Sequence, residues 1–171
     1  MRKFGEDRGG EGALRHRAAV GEEVGGAVKN VLAIACGVVE GKGLGQNARA
    51  ALIARGFAEM TRFGLARGAR RDTLAGLSGL GDLVLTCSST SSRNFSLGVG
   101  LGQGRHAAEL LADRRTVAEG AFTAPILARL AQDESIEMPI VAAVADLLTG
   151  TATVDEVLER LLSRPPRPEA H

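Results

Sequence analysis

The chain has no tryptophan and no tyrosine, only five phenylalanines among 171 residues, and only two cysteines. Without flat aromatic surfaces there is little on which nucleic-acid bases could stack. A formal net charge of +1 gives no electrostatic case for a polyanion or an anionic membrane surface. Two cysteines, Cys36 and Cys87, cannot build a disulfide framework, so a reduced, cytoplasmic setting is expected, with Cys36 packed as a small hydrophobe. His16, His106 and His171 are scattered and make no metal-ligand spacing with the cysteines. The longest apolar run, residues 24–39, is too short and carries a lysine, so it is not expected to span a bilayer. Residues 1–20 hold early basic residues but no apolar stretch, so no signal peptide is read there. Lysine is scarce as well: of 21 basic residues only Lys3, Lys29 and Lys42 are lysines.

What remains is alanine, glycine and leucine in long runs without period-2 alternation. That composition predicts an all-α domain of closely packed helices, in a length suited to one core. Residues 1–21 mix glycine with charge and are expected to be weakly structured; 22–163 should form the helical domain, and 164–171, with three prolines, an exposed tail. Helices are expected over 22–39, 47–66 with Asn47 as N-cap, 80–85 begun at Ser78, 92–101 capped by Ser92, and 120–132, 138–148 and 153–162. In the second helix Leu52, Ile53, Phe57, Met60 and Phe63 fall on one face. Gly41-x-Gly43-x-Gly45 reads as a helix stop. Gly98-x-Gly100-x-Gly102-x-Gly104 reads as part of a helix and its end. Neither has the spacing or the preceding strand of a dinucleotide loop.

Three segments carry candidate chemistry. Lys29 is the only charged side chain between residues 24 and 39. A chain that otherwise writes positive charge as arginine has placed a lysine in its most apolar stretch, and lysine can give up its proton once desolvated. Gly25, Gly26, Ala33 and Gly37 share its helical face, leaving room for a close approach. Proton chemistry and a structural ion pair are both open to such a lysine. The second segment sets Asp82 behind Gly79 and Gly81, with Thr86 four residues on; Asp82 is the natural carboxylate partner of Lys29, or an acid favoured by a helix start. In the third, a run of hydroxyls from Ser88 leads into Ser92-Arg93-Asn94 at a helix N-terminus, a combination able to hold a phosphate or simply to cap a helix.

Taken together, GGAVKNVLAIACGVVEGKGLGQNARAALIARG, GLSGLGDLVLTCSSTSSRN and TVAEG resemble the C-terminal domain of bacterial NAD(P)-dependent glycerol-3-phosphate dehydrogenases, over roughly residues 24–162. The resemblance implies the multi-helix fold of the C-terminal domain of 6-phosphogluconate dehydrogenase-like enzymes. It implies that Lys29 is the catalytic lysine, delivering a proton to the carbonyl oxygen of dihydroxyacetone phosphate, and that Asp82 orients it. Asn30, Thr86, Ser92, Arg93 and Asn94 would bind substrate, with Arg93, Val117 and Glu119 contacting NAD(P). The chain reads Val117-Ala118-Glu119-Gly120 where a second valine is usual in the family. Residues 1–20 do not resemble the family's cofactor-binding half. The pocket should therefore have one wall, with no dinucleotide bound tightly and no activity by this chain alone. A shortened gene product, half of a split enzyme and a surviving binding or oligomerisation module would each account for that.

The expected partners are a small phosphorylated substrate, a Rossmann-domain protein and, through an apolar rim, a second copy as a homodimer. Nucleic acid and membrane are not expected. Two other readings compete: a non-enzymatic all-α binding module, and the helical half of a related 2-hydroxyacid or 6-phosphogluconate-type dehydrogenase. In the latter an asparagine follows the lysine by four residues, whereas here Asn30 is adjacent and position 33 is alanine.

Overall fold

The computed structural model describes residues 8–112 and 118–163. Among them the chain is all-α, without a strand: α1 (Arg8–Gly41), α2 (Gly45–Ala66), α3 (Arg71–Ala75), a π-helical turn (Leu77–Gly81), α4 (Asp82–Thr86), α5 (Arg93–Gly102), α6 (Ala107–Leu111), α7 (Glu119–Asp133), α8 (Pro139–Thr149) and α9 (Val154–Ser163).

α1 is the central post, with α2, α3, α4, α5, α7 and α8 packed around it. From Val31 to Val39 it is apolar on every side, and every residue there is buried. A helix with no polar face must be surrounded, which is how an apolar run this long becomes a core. By length and composition Gly21–Gly41 would pass for a membrane span, yet 67% of its most apolar 18-residue window is buried among the other helices.

α5 lies against α1 with the two backbones in contact. A Cβ on Gly37 would fall 2.1 Å from the Phe95 carbonyl oxygen, and one on Gly98 2.1 Å from that of Ile34. One turn on, a Cβ on Gly41 would fall 2.3 Å from the Val99 carbonyl oxygen, and one on Gly102 2.4 Å from that of Val38. Paired glycines four apart thus let two helices approach closer than any side chain permits. Gly41, Gly98 and Gly102 serve packing within the two glycine series, while Gly43 and Gly45 form the turn expected as a helix stop.

The other side is held by α2. Glu59 is buried, and its carboxylate accepts the backbone N–H groups of Ile140 (2.8 Å) and Val141 (3.3 Å) at the start of α8. Met138, at the N-cap of α8, makes no side-chain cap, so the glutamate satisfies those donors from a neighbouring helix. Arg62 donates through Nε and NH2 to the Glu137 carbonyl just ahead of it.

Several boundaries differ from the sequence expectation. α1 runs back to Arg8 rather than starting at Glu22, so part of the stretch expected to be weakly structured is helical. Once a stable helix exists, each added residue gains a hydrogen bond without a new nucleation cost, and Ala13, Leu14, Arg15, Ala18 and Ala19 all favour it. α2 begins at Gly45 with Leu44 as N-cap and no side-chain cap, so Asn47 is not the cap. The positive φ of Gly43 and Gly45 completes the turn before Asn47 is reached. Ile53 and Phe57 are only partly buried, while Leu52, Met60 and Phe63 reach the core. The segment expected to start at Ser78 starts at Leu77 and is a π-helical turn before it becomes α4. α3 and α6, five residues each, have no counterpart in the sequence expectation, because they are too short to display a helical period. The expected tail, 164–171, lies outside the described residues.

Candidate active site

Lys29 sits midway along α1, where its face meets α4. Its Nζ donates to Asp82 Oδ2 as a short ion pair, and the Thr86 hydroxyl donates to the other oxygen, Asp82 Oδ1, at 3.5 Å. Asp82 owes its place to the turn before it. π-helical turns recur at functional sites, because one extra residue re-aims the side chains of the next turn. Here Gly79 packs so tightly that a Cβ would lie 1.9 Å from the Leu74 carbonyl oxygen. The lysine is not sealed in the core: its side chain is 25% exposed and that of Asp82 36%. The apolar stretch supports its base, and the ammonium reaches a surface pocket.

That pocket has a volume of 340 Å³. It brings together Lys29, Asn30, Thr86, Ser92, Arg93, Asn94 and Glu119, all singled out in the sequence. Asp82 stands behind Lys29 through their ion pair. Val117 lies outside the described residues. Leu85, Ser89 and Ser91 also line the pocket. The serines belong to the hydroxyl run noted in the sequence. Leu85 has no individual signal beyond its place three residues after Asp82. A larger cavity of 810 Å³ opens between α7 and α8, but it holds none of the residues with candidate chemistry.

The loop before α5 is shaped by its own hydroxyls. Ser92 caps the helix, its oxygen accepting from Phe95 N at 3.3 Å. Ser96 Oγ donates to the Thr90 carbonyl at 3.0 Å, and the Ser89 and Ser91 hydroxyls lie 2.6 Å apart. The Ser92 hydroxyl proton is still available to an anion while its oxygen serves the backbone. Arg93 is exposed and has no carboxylate partner among the described residues. Asn94 is buried, and its Oδ1 accepts from Gly120 N at 2.9 Å. Asn30 Nδ2 donates to Glu119 Oε2 at 3.5 Å, linking α1 to the start of α7.

Chemically, the pocket brings together an ammonium with a carboxylate behind it and a guanidinium at the N-terminus of a ten-residue helix. One side can exchange a proton with a polar oxygen; the other can hold an anion. Cys36 and Cys87 take no part. Both are buried and unoxidised, and the Cys87 thiol is pushed well above its ordinary range by its hydrogen bond with Cys36 and by burial, which keeps it protonated.

The fold and the pocket define an all-α domain in which a lysine–carboxylate pair and the N-terminus of α5 border one pocket. Residues 19–159 match the family described as the C-terminus of NAD-dependent glycerol-3-phosphate dehydrogenase, and the chain belongs to that family. It is 74% identical over 145 residues to a glycerol-3-phosphate dehydrogenase [NAD(P)+] of Novosphingobium aromaticivorans, covering 85% of this chain and 44% of that protein. To the protein of the same description from Erythrobacter litoralis it is 70% identical over 149 residues, covering 87% and 45%. The crystal structure of glycerol-3-phosphate dehydrogenase from Coxiella burnetii superposes with a TM-score of 0.81 at 43% identity, over 85% of this chain and 45% of that one. A glycerol-3-phosphate dehydrogenase structure from Plasmodium falciparum shares the fold at 19% identity, with a TM-score of 0.73 over 86% and 43%. The chain thus spans under half the length of the curated relatives it matches.

Proposed function

We propose that this chain is the substrate-binding and catalytic half of an NAD(P)-dependent glycerol-3-phosphate dehydrogenase, which interconverts dihydroxyacetone phosphate and sn-glycerol 3-phosphate. The observation that carries this is that Lys29, paired with Asp82, lines the same pocket as Arg93. Lys29 gives its proton to the substrate oxygen as the carbonyl is reduced and takes it back in the reverse direction. Asp82, steadied by Thr86, keeps the ammonium aimed at the pocket. Arg93, the Ser92 hydroxyl, Asn94 and the start of α5 hold the phosphate. Asn30 positions the one remaining hydroxyl group, on C1.

A bound nicotinamide cofactor supplies the hydride. Arg93 and Glu119, at the open side of the pocket, fit contact with it, and Val117 is the third residue of that set. No βαβ unit to hold a dinucleotide is present among the described residues, so the cofactor has to be carried by a Rossmann-type partner domain. In that setting the enzyme works in the cytoplasm and supplies the glycerol phosphate of phospholipids. Exposed Leu77 and Leu85 beside the site offer an apolar rim to that partner, or to a second copy. The competing reading is a binding module without chemistry.

Titration with glycerol 3-phosphate, against glycerol as control, tests the anion cradle. The parent should bind the phosphate ester and not glycerol, and Arg93→Ala should weaken binding by about tenfold or more with little change in melting temperature. If the variant binds as well as the parent, the phosphate is not held here.

A further inference from the structure

α7 opens on a residue that cannot cap it. Ala118 occupies the N-cap position without a side-chain hydrogen bond, and alanine has no oxygen to offer the first-turn N–H groups. The Gly120 N–H is nevertheless satisfied, by Asn94 Oδ1 at 2.9 Å, from the first turn of a different helix. Asn94 is 8% exposed, so this bond is sheltered from water.

The bond fixes more than α7. A carboxamide has a single acceptor oxygen, and committing it to Gly120 decides which way the amide is turned. Only the NH2 group remains for the pocket that Asn94 borders. Gly120 also occupies a place where no side chain fits. A Cβ there would lie 2.7 Å from the Asn30 carbonyl oxygen, 2.8 Å from its carbon and 2.8 Å from Asn94 Oδ1. Real Cβ atoms do not come this close to backbone, so even alanine would push α7 away from α1 and strain the bond to Asn94. The neighbouring Glu119, within reach of Asn30, would move with it.

We infer that Gly120 is a positioning residue of the anion site: its N–H locks the Asn94 carboxamide with the NH2 group turned to the pocket, and its missing side chain lets α1, α5 and α7 close on that point. The inference rests on the phosphate reading given above. It makes the start of α7 part of the substrate site without touching substrate.

The test is NMR on the isotope-labelled chain, with and without glycerol 3-phosphate. In the unliganded parent the Gly120 amide should exchange at least about tenfold more slowly than an open amide, and Asn94→Ala should remove that protection. Asn94→Asp, which keeps an acceptor but has no NH2, should retain the protection and lose phosphate binding. Gly120→Ala should shift the Asn94 side-chain NH2 resonances and weaken phosphate binding by about tenfold. Free exchange of the Gly120 amide in the folded parent overturns the inference whether or not Gly120→Ala folds. So does a folded Gly120→Ala chain that binds phosphate like the parent. A parent that binds no phosphate ester overturns the phosphate reading and this inference together, and is recognised by a Gly120 amide that stays protected.

Discussion

Lys29 gains its leverage from being lysine in a chain of arginines. Both side chains would pair with Asp82, but an ammonium hands a proton to a substrate oxygen far more readily than a guanidinium does. With its side chain 25% exposed, it is within reach of a substrate and close enough to Asp82 to be held on one line. In a system completed with the cofactor-binding half of a close relative, Lys29→Arg should lower kcat by about a hundredfold or more while the helical fold survives. Equal turnover by the arginine variant, followed as NAD(P)H oxidation with dihydroxyacetone phosphate, would leave Lys29 only a charge to contribute. The adjacent Asn30 carries a different burden, since its side chain and its carbonyl oxygen both meet the start of α7.

Among the elements, α9 shows how a short helix is secured by its first turn. Thr153 and Glu156 form a reciprocal cap: Thr153 N donates to Glu156 Oε2 at 2.7 Å, and Glu156 N donates to Thr153 Oγ1 at 3.3 Å. The backbone N–H of Thr153, and then its hydroxyl, hold the Glu156 carboxyl below its ordinary value. A depressed acid stabilises the fold above its unfolded pKa, and that contribution is lost as pH falls through the folded value. Between neutral pH and about pH 3 the parent should therefore lose more melting temperature than Glu156→Gln, whose cap does not titrate. Parallel thermal curves for the two would remove the carboxylate from the stability of α9. Along the chain the same need is met in different ways: α5 is capped by its own Ser92, α8 by Glu59 of α2, and α7 by Asn94 of α5.

At the scale of the whole molecule, the site lies on an open face. The pocket beside Lys29 is lined by polar groups on one side and flanked by Leu85, 68% exposed, and Leu77, 90% exposed. On the proposed reading, a surface of this kind offers substrate a single wall. Hydride transfer needs a nicotinamide fixed within contact of the substrate carbon, and the described residues include no βαβ unit to fix one. The purified chain should therefore show no NAD(P)H oxidation with dihydroxyacetone phosphate, even at high concentration. Turnover by the isolated chain, shown to be free of contaminating enzyme, would mean that it completes the site by itself.

The all-α class, the central apolar helix and most of the polar residues of the pocket were legible in the sequence, because each rests on local chemistry: an apolar run without alternation, a lone lysine within it, an acid behind two glycines, and hydroxyls at a helix start. Leu85 carried no such signal, and Glu119 came only through the family resemblance. Thr86 and Ser92 could be placed for the same reason, since spacing along one helix decides their neighbours. The relations between helices required the tertiary structure. No rule of sequence pairs Gly37 with Gly98 or sends Asn94 to cap a helix that begins at Glu119, because these contacts join residues far apart in the chain. The boundary at Arg8 and the two five-residue helices were equally hidden, since elongation from an existing helix and support from neighbours decide them more than intrinsic propensity does. The sequence by itself singled out the side chains with candidate chemistry. Only the packing of α1, α5 and α7 decided that they face one pocket, because backbone contact between helices depends on a geometry that no single segment contains.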